Sequence, residues 1–197
     1  GSGWTTSTNV VVSAVFHARF IDGQNKSFMG AAVTAGQVNN GTAAIAVGAP
    51  QADDVGSNTG SVYVFEGPWT PGTTESASAD ADGTWTGVTT SQNVGYTILF
   101  ANTNNDPGDD TLLIGSEKSS AAAPSAGELY MIDTPNAGTQ SVTAADTRGQ
   151  GQWGWKLGRW IASAGDVNGD SKEDFWVGVP KYYGSNSQRV GAAFLFV

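Results

Sequence analysis

The chain has no cysteine, one histidine and two methionines, and its nine Lys and Arg stand against 18 Asp and Glu, a formal net charge of −9. Without cysteine there is no disulfide framework, no thiolate metal site and no thiol nucleophile. That absence does not place the protein inside a cell. His17, the single histidine, has no partner near it in sequence and reads as a surface residue of a strand. No serine elbow or zinc motif occurs, so acyl transfer and metal-assisted hydrolysis have no candidate residues. No apolar run approaches a membrane span. The start, Gly1-Ser2-Gly3, lacks signal-peptide character and fits a mature, processed or tagged end. The shortage of basic charge disfavours nucleic acid and anionic membranes as partners and suits cations. Lys and Glu are sparse while Gly reaches 27 residues, which disfavours long helices.

What is present is sufficient for one well-buried domain spanning residues 1–197. The most informative stretch is 164–197, AGDVNGDSKEDFWVGVPKYYGSNSQRVGAAFLFV. Asp166, Asn168, Asp170 and Asp174 place oxygen side chains on one side of a tight loop, the donor set that a hard cation such as calcium requires. An Asn-Gly-Asp turn capping its own backbone explains the same composition without an ion. The apolar runs after the loop, Phe175–Val177 and Ala192–Val197, read as a hairpin with the loop at its mouth.

The pattern occurs three times. Gly48, Gly115 and Gly178 follow one apolar run in each copy, at spacings of 67 and 63 residues. Gly60, Gly127 and Gly191 open the next run, at spacings of 67 and 64. Repeats over roughly 9–66, 83–133 and 138–197, at about four short strands each, predict about twelve strands. The first copy has Gln37 in the first ligand position and has lost the ion site. The second offers Asn102, Asn104, Asp106 and Asp110, with Asp109 nearby, a weaker donor set. Residues 67–82 read as a linker or insertion, with Trp69 stapling it down or facing a ligand. Residues 4–20, with Val10–Val12, Val15, Phe16 and Phe20, read as one or two strands. Trp153, Trp155 and Trp160 are expected to fill space between repeats. Tyr182 and Tyr183, just after the third copy's Pro180, are the exposed-aromatic candidates.

Leu157-Gly158, the Asp166–Asp174 loop and Gly178-Val179-Pro180, echoed by Met29-Gly30 with Gly48-Ala49-Pro50, resemble the FG-GAP repeat of integrin alpha-chain propellers and of many prokaryotic surface proteins. The resemblance implies an all-β, β-propeller-like fold in which each repeat supplies one blade and Ca2+ occupies some loops. Three blades make a partial ring, expected to be completed by a second copy or another chain through the apolar strand edge at the end.

The first functional reading is a non-enzymatic recognition or adhesion module, stabilised by calcium and located extracellularly, on a cell surface or on a virion surface. Its partner would be a protein or glycan, with Tyr182, Tyr183 and Trp69 as candidate contacts. The alternative is a structural subunit of a capsid, spike or filament. A carbohydrate-active enzyme ranks last, since acids outside the loops are scattered.

Overall fold

The apolar runs form strands, and three of these follow a glycine of left-handed φ, Gly60, Gly127 and Gly191. A computed structural model describes residues 17–185 and 187–197, and in them the protein is all-β. After β1 (Ala18–Ile21), the first part of the chain forms β2 (Ala32–Val38), β3 (Thr42–Ala49), β4 (Ser61–Glu66), β5 (Thr73–Ser76), the short helix α1 (Ala77–Asp80) and β6 (Gly83–Thr86). Next come β7 (Thr97–Ala101), β8 (Thr111–Ser116), β9 (Glu128–Ile132), β10 (Gly138–Ser141) and β11 (Thr147–Gln150). The chain continues as β12 (Trp160–Gly165), β13 (Asp174–Val179) and β14 (Ala192–Phe196).

These strands build three successive antiparallel meanders: β2-β3-β4-β6, β7-β8-β9-β11 and β12-β13-β14. Two further strands reach backwards: β5 pairs in parallel with β1, and β10 pairs in parallel with β6. Among the described residues no sheet closes on itself, and no helix is long and apolar enough to cross a membrane.

The pairing departs from the repeat boundaries read in the sequence. Residues 67–82 are not an open connection, because they hold β5 and α1. The partner that turns this polar stretch into strand is β1, more than fifty residues away along the chain, so local composition carried no sign of it. β6 pairs with β4 and belongs with the first meander, not the second copy. β11 likewise belongs with β9. Phe20 lies in β1; Val10–Val12, Val15 and Phe16 fall outside the described residues.

The central strands are buried on both faces, β8 throughout and β4 in all but its last residue. Their sequences, LLI and VYVF, are accordingly continuous apolar runs. Between the first two sheets Ala46, Val62 and Val64 meet Leu112, Ile114 and Tyr130. Between the second and third, Leu113 and Leu129 meet Phe175, Val177 and Val179, joined by Trp155, Tyr182 and Phe194. The outer face of the first sheet carries Val47, Tyr63 and Phe65, covered in part by Phe20, Met29 and Trp69. Trp155 thus lies between sheets as expected, whereas Trp153 and Trp160 are 56% and 63% exposed. Trp153 stacks instead on Tyr183, and Trp160 lies beside Gly178 on the third sheet.

Neighbouring sheets touch main chain to main chain. A Cβ on Gly48 would lie 2.2 Å from the carbonyl oxygen of Gly95, and one on Gly115 would lie 2.2 Å from that of Gly158. Any side chain there would drive the sheets apart. Gly115→Ala is therefore expected to cost about 3 kcal/mol and lower Tm by roughly 5–10 °C. Gly149→Ala, whose Cβ would make an ordinary contact at 3.6 Å from Leu129, should change Tm little. Calorimetry of both variants checks the pair; equal shifts would remove the special role of the seat.

Candidate functional site

The third loop joins β12 to β13 and is organised by its own acids. Asp166 accepts N–H groups from Gly169 (2.6 Å), Asp170 (3.1 Å) and Ser171 (2.9 Å). Asn168 Oδ1 accepts from the Asp170 N–H, and Asp170 Oδ1 from that of Lys172. Asp174, 2% exposed, accepts the Val167 N–H at 2.7 Å and closes the loop. Gly165, Gly169 and Ser171 take left-handed φ of 67°, 81° and 71°, which gives the tight turn its curvature. Each carboxylate or amide oxygen has two lone pairs, so an oxygen holding one N–H retains capacity for a cation. Among the described residues no three Asp, Glu, His or Cys side chains converge as a metal cage, so the four oxygens are gathered into one loop but not onto one point.

The second loop is built differently. Counting four residues back from Gly115 and from Gly178 puts Thr111, not Asp110, in register with Asp174, each as the first residue of its strand. Asp110 is turned onto the first loop: its Oδ2 accepts the Gln37 N–H and its own N–H donates to the Gln37 carbonyl, both at 2.8 Å. Asp109 Oδ1 likewise accepts the Asn40 N–H at 3.0 Å. Asn104 caps Asp106, and the Asn102 amide donates to the Asp106 carbonyl. Asn102 Oδ1 is buried with no partner, which leaves one orphaned acceptor in this loop. The third loop repeats the clasp seen at Gln37, with Glu173 in the acid's role. Its N–H donates to the Asn102 carbonyl at 2.7 Å, and its Oε2 accepts the Asn102 N–H at 3.3 Å.

The aromatic candidates separate. Tyr182 packs against Trp155 and Phe194, with ring centroids 4.8 and 5.7 Å away, and belongs to the inter-sheet core. Tyr183 stacks on exposed Trp153 at 6.2 Å, and Arg189 lies over both rings while its Nε donates to the Tyr183 hydroxyl. Trp153, Lys156, Lys181 and Arg189 line a cavity of about 170 Å³, a cationic and aromatic patch on an acidic protein. Trp69 packs edge-on against Phe20 at 5.5 Å, in the stapling position. His17 is exposed, with Nε2 3.1 Å from the Trp69 carbonyl oxygen.

Two buried acids escaped the sequence reading. Glu117, in the second sheet, is bonded by Arg159 at 2.6 Å and by Lys156 at 3.3 Å from the segment entering the third. Glu117 stands where Pro50 and Pro180 stand in the other copies, and that substitution was the available signal. Glu128 is fully buried and receives Ser119, Tyr130, Gln150 and Arg148. Burial pushes both carboxyls up. For Glu117 the hydrogen bond from Arg159 and the charges of Lys156 and Arg159 outweigh it. For Glu128 the four hydrogen bonds, led by Ser119, do the same, so both are held below the ordinary range.

Compared with known protein families and with curated proteins, the chain matches none.

Both glutamates release protons more readily in the folded chain than in the unfolded one. Their contribution to stability is therefore complete above the ordinary glutamate value of 4.5 and is lost as pH falls below it through the lower folded values. Tm is expected to be flat near neutrality and to drop steeply in that acid window. Glu117→Gln should lower the neutral Tm and flatten the acid limb, as read by thermal melts across pH. An unchanged acid limb would separate Glu117 from acid unfolding.

Proposed function

We propose that the three meanders are blades of a propeller of the FG-GAP type, and that the protein is a non-enzymatic, calcium-stabilised recognition module of an extracellular or surface location. The observation carrying the recognition reading is the Trp153–Tyr183–Arg189 stack. An exposed indole beside a phenol and a guanidinium offers flat apolar area and fixed donors, which suits a sugar ring or an acidic protein surface. The glycine seats between sheets at Gly48 and Gly115, with a third glycine at the corresponding Gly178, support the blade reading.

Asp166, Asn168, Asp170 and Asp174 would hold calcium in the third loop: three carboxylates and one amide carbonyl fit the ion's preference for hard oxygen. The ion would neutralise acids that now face one another across a tight turn. Asn102 Oδ1, the orphaned acceptor, supports a second, weaker position with Asn104 and Asp106; Asp110, engaged with Gln37, would have to leave its clasp to join them.

Calcium at a hundredfold excess over its Kd is expected to stabilise the fold by about 2.7 kcal/mol, a Tm rise of roughly 5–10 °C. Chelator and Asp170→Ala should each abolish the rise, whereas Asp106→Ala should leave most of it. No rise in the unaltered chain would reduce the loop to a turn. For recognition, saturable binding on glycan and surface-protein arrays should weaken about tenfold or more with Trp153→Ala, about 1.4 kcal/mol. Binding indifferent to that change would move the site elsewhere.

A further inference from the structure

We infer that the patch around Trp153 takes one terminal acidic sugar, its ring laid on the indole and its carboxylate held by Arg189 and Lys181; this rests on the recognition reading of the same site. Separate segments of chain build the patch. The turn 153–156 is tied to the loop before β9, because the Gly154 N–H donates to the Pro124 carbonyl at 2.9 Å and the Lys156 N–H to that of Ser125 at 3.2 Å. Tyr183 and Arg189 stand opposite each other as an antiparallel bridge. Trp155 and Tyr182 pack on the core between the second and third sheets. The segments bearing Trp153 and Tyr183 are thus each pinned by an aromatic side chain, and the platform is fixed before a ligand arrives.

The charge of the patch selects an anion. Lys156 is paired with Glu117, which also binds Arg159. Among the described residues neither Lys181 nor Arg189 has an ion-pair partner, and positions 1–16 and 186 contribute no Asp or Glu. Both cations are therefore left without a counter-charge, on a chain of net charge −9 whose general field repels anions. Arg189 uses its Nε on the Tyr183 hydroxyl at 3.0 Å. Its Nη2 reaches over Gly154, 3.8 Å from where a Cβ would stand, and Gly154 lines the cavity. The terminal nitrogens of a guanidinium match a planar carboxylate with two parallel N–H donations, whereas an ammonium such as that of Lys181 adds charge without direction.

The aromatic surface decides among ligands that carry a carboxylate. Trp153 stays 56% exposed even with Tyr183 stacked beside it at 21° and Arg189 over it. A flat apolar face next to charged donors adds nothing to the binding of an inorganic anion, and little to that of an acidic side chain on a flexible stem. A sugar ring lays a C–H face on the indole and carries its carboxylate rigidly at the rim. The cavity is about 170 Å³. Sites that enclose drug-sized ligands run to roughly 300–1,000 Å³, so this one fits a single end unit and leaves the rest of a glycan in solvent. Hexuronic and sialic acids share this chemistry.

Titration calorimetry of the full chain with methyl glucuronide, methyl sialoside, methyl glucoside, sodium acetate and N-acetylglutamate amide tests the assignment and tells the two acids apart. At least one acidic sugar is expected to bind with a Kd of about 1 mM, roughly tenfold or more tighter than the last three probes. Arg189→Lys keeps the charge but removes the fork and should weaken that sugar about tenfold. Lys181→Gln should weaken it too and flatten its salt dependence. Arg189 is exposed and Lys181 half-buried, so both variants should melt like the unaltered chain. Glucoside binding as tightly as the acidic sugars would overturn the role of the carboxylate, and acetate doing so would overturn that of the ring. Equal binding of the glutamate amide would point to an acidic protein instead, and no binding by any probe would overturn the assignment outright. In each of these cases Trp153-dependent capture on the arrays would leave the recognition reading standing, and its absence would sink both.

Discussion

The contact between main chains at Gly48–Gly95 and Gly115–Gly158 sets the distance between sheets, and most other features follow from that distance. With backbones touching, side chains from both sheets must share a thin layer. The central strands therefore carry small and branched residues on both faces, Ala46 and Val64 on one side and Leu112 and Ile114 on the other. The same closeness brings the loops at one end of the sheets within hydrogen-bonding reach. Gln37 and Asn102 are each clasped there by the acid preceding the next sheet's second strand.

The acidic excess is not spread uniformly. Part of it is tied to tyrosines: buried Glu128 meets Tyr130 and exposed Asp54 meets Tyr63, the two phenols standing three residues after Gly127 and Gly60 in corresponding strands. Burial and the neighbouring carboxylate raise both phenols above their ordinary range, so these tyrosines remain donors at any physiological pH. Glu117 ties the second sheet to Arg159 and Lys156. What remains is concentrated in loops, the third above all, where Asp166 and Asp170 cap backbone N–H groups and stay exposed while Asp174 is buried.

Against that background the patch of Trp153, Lys156, Lys181 and Arg189 is an island of opposite sign. Arg189 lies across the Trp153 and Tyr183 rings and its Nε donates to the Tyr183 hydroxyl, which fixes the aromatic pair in one pose.

From the sequence alone, the three-fold recurrence, the all-β class and the composition of the third loop were determined, because each depends on residues near one another: a glycine before an apolar run, or oxygen side chains two apart. The partnership of β5 with β1, the transfer of β6 to the first meander, the one-residue offset that puts Thr111 in line with Asp174, and the separation of Tyr182 from Tyr183 were decided by tertiary structure. Each turns on which segment lies alongside, and strand pairing joins segments distant along the chain through backbone groups that every residue type carries. The burial of Glu117 and Glu128 belongs with them: a carboxylate enters a core only where its partners, Arg159, Lys156 and Arg148, arrive from later strands and segments to meet it.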